Sequence, residues 1–542
     1  MKAFYFILIL LNAAGAFAQT YSDVASFTNA IASTSPGDTI KLANGIYTDD
    51  FVLDISSSGT ASSPIVIMSE NGGEAVFTGE IGFNIDASYI IFKGFKFDST
   101  TISPAMPTSG GTEGTFIMVT GDYNVLEDLF FSHIALGIHN KHNIILFRSW
   151  THHNTIRRCW FEKATQFGIL IYGDLKEPGQ GFTGNHTVEY CYFQADRPAG
   201  NPNGNEAIRF GSGLRTNGMN GSNVIQHNLF NEYNGEKEIV TLKSSYNEFR
   251  HNTIRNSYGL INCRHYNSNK LSHNFFINDA PNNLIYGGYM GIWSKKHEIF
   301  NNYFHQSRPR TDDEGAITMM AGNGSNLSDL HESVDSILIK DNIFYAPHIF
   351  GAVSFGGRAN GNFMPSNVTL DGNLVFSNGN ADQIVYRQSG VTGTTFTNNK
   401  IYPVGGSMVP AGQIVNPNLV ADAFGVFRAA GAGPSGNPLS CSDVGPEWHQ
   451  CTTTTSIKSL DSDKNQVTIF PNPSEKNLTI DLGLIINEIK LTIISLEGKV
   501  VLTHSSSKKQ QIELDLEAIP TGLYFIKLDL DGNKSVHKLI KQ

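Results

Sequence analysis

The stretch NVIQHNLFNEYNGEKEIVTLKSSYNEFRHNTIRNSYGLINCRHYNSNKLSHNFF, residues 223–276, contains one short sequence unit three times. Each copy has a polar start, alternating apolar positions, an asparagine and an aromatic or β-branched end. The copies begin at Asn223, Asn247 and Asn269, so they are 24 and 22 residues apart. A period of this length, with Gly/Asn turns between the copies, is typical of a solenoid, in which each coil buries its apolar face against its neighbours.

Similar units occur between residues 123 and 376, with wider spacing where insertions intrude. Short strands without convincing helices between them predict an all-β fold, a right-handed parallel β-helix. Leucine-rich repeats have a similar period, but the LxxLxL pattern is absent. A β-propeller would need longer, four-stranded repeats.

Length and charge limit the possible functions. A chain of 542 residues exceeds the usual size of one domain, so we expect either two or more domains or one long repeat array. A net charge of -10 argues against a nucleic-acid partner. It does not exclude an anionic substrate, because a binding site needs only local positive charge.

The N-terminus predicts export. Residues 1–18 contain Lys2, an apolar run and small residues before Gln19, which is the pattern of a cleaved signal peptide. The apolar run is too short for a permanent membrane span, and no other stretch is long and apolar enough. An exported protein can form disulfides, and Cys441 and Cys451, ten residues apart, are the expected pair. Cys159 and Cys191 occupy matching repeat positions and are expected to be buried thiols.

Charged residues cluster after Gly235. Glu236 and Glu238 are two apart, so in a strand they share a face and offer paired carboxylates to a hard cation such as calcium. Lys243 would fall on the opposite face of an unbroken strand, so a bend near Thr241 is expected. Arg264 lies 21 residues after Lys243, nearly one coil, and should therefore sit beside it.

An asparagine from the preceding coil should approach the acidic pair. The segment NPNGNEAIRFG, residues 201–211, lies about one coil earlier and offers Asn203 or Asn205. A solvated strand edge with its charges in water is the alternative interpretation of the local pattern alone.

The chain resembles polysaccharide lyase family 6, the alginate lyases and chondroitinase B, over roughly residues 20–450. This family has the right-handed parallel β-helix fold. The segments that carry the resemblance are PIVIMSENGGEAVFTGE (64–80), RPAGNPNGNEAIRFG (197–211), GEKEIVTLKS (235–244), CRH (263–265) and GGYMGIWSKKHEIFNNYF (287–304).

The resemblance implies roles for these residues. Glu236, Glu238 and Asn203, which is preferred to Asn205, would bind calcium. Lys243 matches the Brønsted base and Arg264 its cationic partner.

Substrate-binding residues follow from the same resemblance. His265 matches the family's Arg-His pair, and Tyr266 replaces the glycine usual at the next position. Arg310 is a weaker match to a substrate-binding arginine. The alignment is too loose to assign Glu332 as the acidic residue proposed in some members.

The composition changes after residue 425. The predicted organisation is a signal peptide (1–18), a lyase β-helix (19–425), a cap and linker (426–464) and a small β-sandwich (465–542). The last unit resembles a C-terminal sorting domain of type IX secretion, by its FPNP, LEGK and IPTGLYFIKL motifs. The secretion machinery is therefore an expected partner. A carbohydrate-binding module is the alternative, although an exposed aromatic platform is not obvious.

These observations predict a secreted, calcium-dependent lyase that cleaves an anionic uronic-acid polysaccharide by β-elimination, with alginate as the expected substrate. Dermatan sulfate is the alternative within the same fold and mechanism. A β-helical glycoside hydrolase would need two carboxylates as acid and base, and would leave Lys243 and Arg264 without a role. A non-catalytic, polysaccharide-binding surface protein would also explain the repeats and the sorting domain.

Overall fold

The computed structural model describes most of the chain. The described residues are 18–106, 113–135, 141–148, 150–163, 168–173, 184–196, 204–211, 220–279, 287–307, 315–323, 331–346, 352–357, 363–376, 385–387, 389–402, 413–414, 421–429, 431–449, 451, 468–495, 499–530 and 533–542. All of the predicted signal peptide except Ala18 therefore lies outside them. The chain forms two compact units, Met1–Gln450 and Cys451–Gln542.

Within the described residues, the larger unit is a stack of coils that contribute fourteen, thirteen and fourteen strands to three long sheets. Every strand pairing between coils is parallel, and the predicted right-handed parallel β-helix is confirmed. The helix Val24–Ile31 lies at the beginning of the stack, where Asp23 caps it by accepting a hydrogen bond from the Ser26 amide at 2.8 Å. Its buried residues Val24, Phe27 and Ile31 join the core of the coils.

The first sheet has fourteen strands. They are Ala18–Tyr21, Thr39–Leu42, Ile65–Ser69, Ile90–Lys93, Val125–Glu127, Thr155–Arg157, Thr187–Glu189, Val224–Gln226, Glu248–Arg250, Lys270–Ser272, Glu298–Phe300, Asp335–Lys340, Ser366–Asp371 and Thr395–Thr397.

The second sheet, called the site sheet below, has thirteen strands. They are Phe51–Ile55, Glu80–Ile85, Thr101–Ile102, Glu113–Val119, Lys141–Phe147, Gly168–Gly173, Ile208–Phe210, Glu238–Leu242, Gly259–Cys263, Gly287–Ile292, Ile317–Met320, Val353–Gly357 and Val385–Arg387.

The third sheet again has fourteen strands. They are Gly45–Tyr47, Ala75–Phe77, Lys96–Asp98, Phe130–Ser132, Trp160–Glu162, Tyr192–Ala195, Leu229–Tyr233, Thr253–Arg255, Phe275–Ile277, Tyr303–His305, Ile343–Tyr345, Leu374–Phe376, Lys400–Tyr402 and Gln413–Ile414.

Repeated phenylalanines form a continuous column in the core. The rings of Phe97, Phe131, Phe161, Phe193 and Phe230 stack in sequence with centroids 4.8–5.1 Å apart. This separation is close to the spacing of neighbouring strands, so one aromatic residue per coil fills the same place in each layer. The repeat in the sequence thus reflects the need to fill the same place in the core of each coil.

Repeated asparagines form a second column at the turn before the third sheet. The Oδ1 atom of Asn274 accepts hydrogen bonds from the backbone N–H of Asn252 at 3.0 Å and from its Nδ2 at 3.2 Å. The Nδ2 of Asn274 donates to the Phe249 carbonyl and to Asn302 Oδ1, both at 2.9 Å. The same bonds recur along the column, which is Asn228, Asn252, Asn274, Asn302, Asn342, Asn373 and Asn399.

In the coils that precede Asn228, cysteines take the place of asparagine in this column. The Cys191 amide donates to Asn228 Oδ1 at 2.9 Å, and the thiols of Cys159 and Cys191 are free and buried, as predicted. Cys263 is also a free, buried thiol. Cys441 and Cys451 are disulfide-bonded, which confirms the expected pair.

We predict that Asn274→Ala lowers the free energy of unfolding by about 2–4 kcal/mol, because two buried backbone groups of the preceding coil, the Asn252 amide and the Phe249 carbonyl, lose their partners. Chemical denaturation of the full chain, followed by circular dichroism, measures the change. Asn29→Ala is the matched control: Asn29 is exposed in the first helix, and its loss should change stability by less than about 0.5 kcal/mol. Equal effects of the two substitutions would contradict a stabilising role for the column.

A segment near the end of the larger unit runs back along the third sheet. Gly433 lies against Ile343, the Leu439 amide donates to Thr253 Oγ1 at 2.8 Å, and the Gly445 amide donates to the Tyr190 carbonyl at 2.7 Å. Trp448 lies so close over Gly73 that a Cβ atom there would collide with its ring. Residues 431–449, within the predicted cap and linker, therefore extend from a late coil to an early one.

The smaller unit contains two antiparallel sheets. Their strands are Thr468–Phe470, Asn477–Ile486 and Lys509–Asp515 in one sheet, and Val500–Ser506, Ile489–Ser495, Gly522–Leu530 and Asn533–Lys541 in the other. Both sheets contribute to a single apolar core, in which Leu478, Ile480 and Leu482 of one sheet accompany Leu491 of the other. The predicted small β-sandwich is confirmed. No helix in the described part of the chain has the length and hydropathy of a membrane span.

Candidate functional site

Three buried carboxylates meet on the outer face of the site sheet. Glu206 lies just before the strand Ile208–Phe210, and Glu236 and Glu238 lie at the start of the next strand along the stack. One oxygen from each of the three carboxylates lies within 4.8 Å of the others. The residues are 3%, 1% and 4% exposed, so water cannot screen their mutual repulsion effectively.

A strand irregularity brings Lys243 to the same face as Glu238. The register with the following strand shifts between Glu238 and Val240, and both Ile239 and Val240 enter the core. The bend expected near Thr241 therefore lies two to three residues earlier. As a result, Thr241 Oγ1 donates to Glu238 Oε2 at 3.0 Å, and Lys243 follows Thr241 on the same face.

The three carboxylates repel one another, although Arg209 lies 3.9 Å from Glu206 and Arg264 lies 3.4 Å from Glu238. Burial, together with Glu206 and Glu238, raises the pKa of Glu236 to about 8. Oε2 of Glu206 and Oε1 of Glu236 are buried and have no hydrogen-bond partner among the described residues. Glu236 Oε2 accepts from the Gly204 amide at 2.7 Å. Buried, unpartnered carboxylate oxygens favour a bound cation, and all-oxygen ligands suit calcium.

Glu206 was not predicted from the sequence. The signal was present, because it directly follows Asn205 in the segment that was expected to face the acidic pair. Asn205 itself is buried, and its backbone amide lies 3.4 Å from Glu236 Oε2. Asn203, the preferred asparagine, and Arg310 lie outside the described residues.

Lys243 lies between two arginines on adjacent coils. Its amide donates to the Phe210 carbonyl at 2.7 Å, and the Arg264 amide donates to the Leu242 carbonyl at 3.0 Å, which places Arg264 one coil along as predicted. Burial, Arg209 and Arg264 lower the pKa of Lys243 to about 8, although Glu206 and Glu238 oppose the change. Lys243 can therefore lose its proton near neutral pH.

Arg264 is an ion-pair partner of Glu238. Its Nη1 lies 3.4 Å from Glu238 Oε1. Burial alone would raise the pKa of Glu238, but Arg264 and Lys243 outweigh burial and lower it. Glu238 is thus held ionised beside the arginine.

His265 and Tyr266 lie next to Arg264 on the turn that leaves the strand. Burial, Lys243 and Arg264 lower the pKa of His265 to about 3, so its imidazole is neutral at ordinary pH. Tyr266 is half-buried and has a φ of 67°, in the left-handed region that glycine adopts most easily. The turn therefore has a backbone conformation that suits glycine but carries an aromatic ring.

Comparisons with known proteins agree with this architecture. The profile of the family described as Chondroitinase B matches residues 22–426, and that of the secretion system C-terminal sorting domain matches residues 468–542. Pectate lyase L of Dickeya chrysanthemi is 29% identical over 130 residues, which are 21% of this chain and only 28% of that enzyme.

Solved structures share the fold. A PL6 family polysaccharide lyase from Pseudopedobacter saltans has a TM-score of 0.62 and 21% identity, covering 80% of this chain and all of that one. A PL6 alginate lyase in complex with a trisaccharide has a TM-score of 0.66 and 18% identity, and the match covers 82% of this chain and 98% of that one. A mannuronic acid specific family 6 lyase from human gut microbiota has a TM-score of 0.57 and 20% identity, and the match covers 71% of this chain and 86% of that one.

Proposed function

Because this chain belongs to the chondroitinase B family of polysaccharide lyases, we propose that it cleaves a uronic-acid polysaccharide by β-elimination at the site around Lys243. The observation that carries the proposal is the position of this buried lysine, with its lowered pKa, between two arginines and beside three carboxylates. Such a site combines a base, fixed positive charge and a cation-binding cluster within one patch.

The C-terminal unit is a sorting domain of type IX secretion, so the protein is exported to the cell surface or beyond. A polysaccharide lyase delivered there meets polymers that cannot enter the cell. The location thus suits an extracellular polymeric substrate.

In the proposed reaction, neutral Lys243 removes the proton from the carbon that bears the uronate carboxylate. The electron pair of that C–H bond forms a double bond to the neighbouring carbon, and the glycosidic oxygen leaves with its bonding pair and takes up a proton from solvent, while Lys243 later returns its proton to solvent. Arg264 supports negative charge on the carboxylate or on the departing oxygen, since a guanidinium stays charged and donates several hydrogen bonds. Water is not consumed.

Glu206, Glu236 and Glu238 are the residues that would hold calcium, together with an asparagine of the preceding segment. When bound, calcium would neutralise the substrate carboxylate and so make the adjacent proton more acidic. The unpartnered oxygens of Glu206 and Glu236 support this assignment.

Alginate is the proposed substrate, supported by structural relatives that are described as alginate lyases. Dermatan sulfate is the second candidate, supported by the family description. A β-helical hydrolase or a non-catalytic binding protein would leave the buried lysine and its arginine partners without a chemical role.

The test is an ultraviolet assay of the conjugated, unsaturated uronate that only elimination creates. Protein without residues 1–18 is incubated with alginate and with dermatan sulfate, each with calcium and with a chelator. A calcium-dependent rise in absorbance on one polymer supports the proposal and identifies the substrate. Cleavage without a rise in absorbance would instead indicate hydrolysis.

We expect kcat/KM to increase as the pH rises through about 8, because Lys243 must be neutral to accept the proton and its pKa in the protein without substrate is about 8. Below this pH the rate should fall about tenfold per pH unit, since the neutral fraction falls by that factor. Initial rates at substrate concentrations well below KM, measured from about pH 6 to about pH 10 at constant calcium, give the profile. A rate that is constant across this range would contradict the role of Lys243 as the base.

A further inference from the structure

Arg264 is held by a second side chain that no sequence motif indicated. Its Nε donates a hydrogen bond to Nε2 of His331 at 3.1 Å, while its Nη1 contacts Glu238. His331 lies 67 residues after Arg264, so the contact exists only because the coils stack. The guanidinium is therefore restrained at two of its three nitrogens.

The His331 ring is itself fixed. It lies against Trp293 with ring centroids 4.0 Å apart, and against His265 at 5.7 Å with nearly parallel planes. The His331 amide donates to Asn323 Oδ1 at 2.6 Å, which holds the backbone. A ring restrained on its faces and at its backbone can serve as a rigid support for Arg264.

The chemistry of the contact defines the role of His331. A guanidinium can only donate, so Nε2 must accept, and the ring must be neutral with its proton on Nδ1. The bond leaves Nη2 of Arg264 without a hydrogen bond or ion pair to any residue that the structure describes. Two restrained nitrogens and one open nitrogen suit an arginine that must present a donor to a reacting group in one orientation.

We propose that His331 is a positioning residue, which orients the Arg264 guanidinium for the elimination through the Nε hydrogen bond. The proposal deepens the proposed function and rests on it. His331 does not contact the reacting atoms in this scheme and acts only through Arg264.

Two variants separate the hydrogen bond from the packing. His331→Phe keeps a flat ring against Trp293 but removes the acceptor, whereas His331→Gln supplies an amide oxygen in place of Nε2. We expect His331→Phe to lower kcat by about tenfold to a hundredfold with KM changed by less than about threefold, because a misplaced catalytic group affects the reaction more than ground-state binding. His331→Gln should lose no more than half as much kcat on a logarithmic scale, for example about tenfold where His331→Phe loses about a hundredfold.

Crystal structures of the two variants provide a readout that does not depend on turnover. The proposal expects the Arg264 guanidinium to be displaced in His331→Phe and retained in His331→Gln. Retention in both variants would overturn it, as would equal kcat values for wild type and His331→Phe. If the wild-type protein produces no unsaturated product, the proposed function fails, but the crystal structures still decide whether His331 positions Arg264.

His133→Gln is the matched control. His133 is an exposed histidine next to the third sheet, and its replacement should leave kcat, KM and the position of Arg264 unchanged. Thermal unfolding of every variant shows whether a loss of rate reflects a loss of folded protein. A loss of kcat in His331→Phe that parallels a loss of folded protein, with Arg264 in place, would assign His331 a purely structural role.

Discussion

Lys243→Ala should lower kcat by about three orders of magnitude, the middle of the range for a removed general base. The ultraviolet assay on the preferred polymer measures the loss. Because Lys243 lies beside Arg209 and Arg264, its removal also relieves repulsion among these three cations, so the variant should remain folded.

Lys243→Arg tests whether the residue transfers a proton or only supplies charge. Arginine keeps the positive charge but does not lose its proton, so this variant should be as inactive as the alanine variant if Lys243 is the base. Lys270→Ala, at an exposed position on the first sheet, is the matched control and should retain full activity. Activity of Lys243→Arg above about a tenth of wild type would contradict general-base catalysis by this residue.

Glu236→Gln should abolish the stabilisation of the protein by calcium together with its activity. At a calcium concentration about a hundred times the dissociation constant, a cation that binds only the folded state adds about 2.7 kcal/mol to the free energy of unfolding. Wild type should therefore melt at a higher temperature in calcium than in chelator, and Glu236→Gln should melt at one temperature in both. Differential scanning calorimetry measures this without reference to turnover.

The same variant should not be less stable than wild type in chelator. Burial beside Glu206 and Glu238 raises the pKa of Glu236 to about 8, so without a cation its carboxyl group is mostly protonated at pH 7, and glutamine matches both its shape and its charge. Glu298→Gln, at a half-exposed position on the first sheet, is the matched control and should keep the calcium response of wild type. A wild-type melting temperature that calcium does not change would argue against a cation at this cluster.

The solenoid could be predicted from the sequence because each coil must meet the same packing conditions as its neighbours. Phenylalanine in the core column and asparagine in the turn column recur in successive coils, as Phe230 and Asn228 illustrate. The spacing between copies also placed Arg264 beside Lys243, since one coil advances the chain by about one strand separation. The pairing of Cys441 with Cys451 followed from their short separation.

The details of the site depended on the tertiary structure. No local pattern indicates that the strand shifts its register between Glu238 and Val240, which is what brings Glu238 and Lys243 to one face. The approach of Glu206 to Glu236 depends on how two coils align across the insertion between them. The contact between Arg264 and His331 joins residues separated by more than two coils of sequence.

The repeating architecture, the family and the residue types of the site can therefore be read from the chain alone, because periodic burial and short motifs are local properties of a sequence. The folded coils were needed to show which carboxylates share a cluster, which groups change the pKa of Lys243, and which side chain supports Arg264. These properties depend on burial and on distances of a few ångströms between coils. Because insertions of variable length lie between the coils, such distances do not follow from the spacing of residues in the sequence.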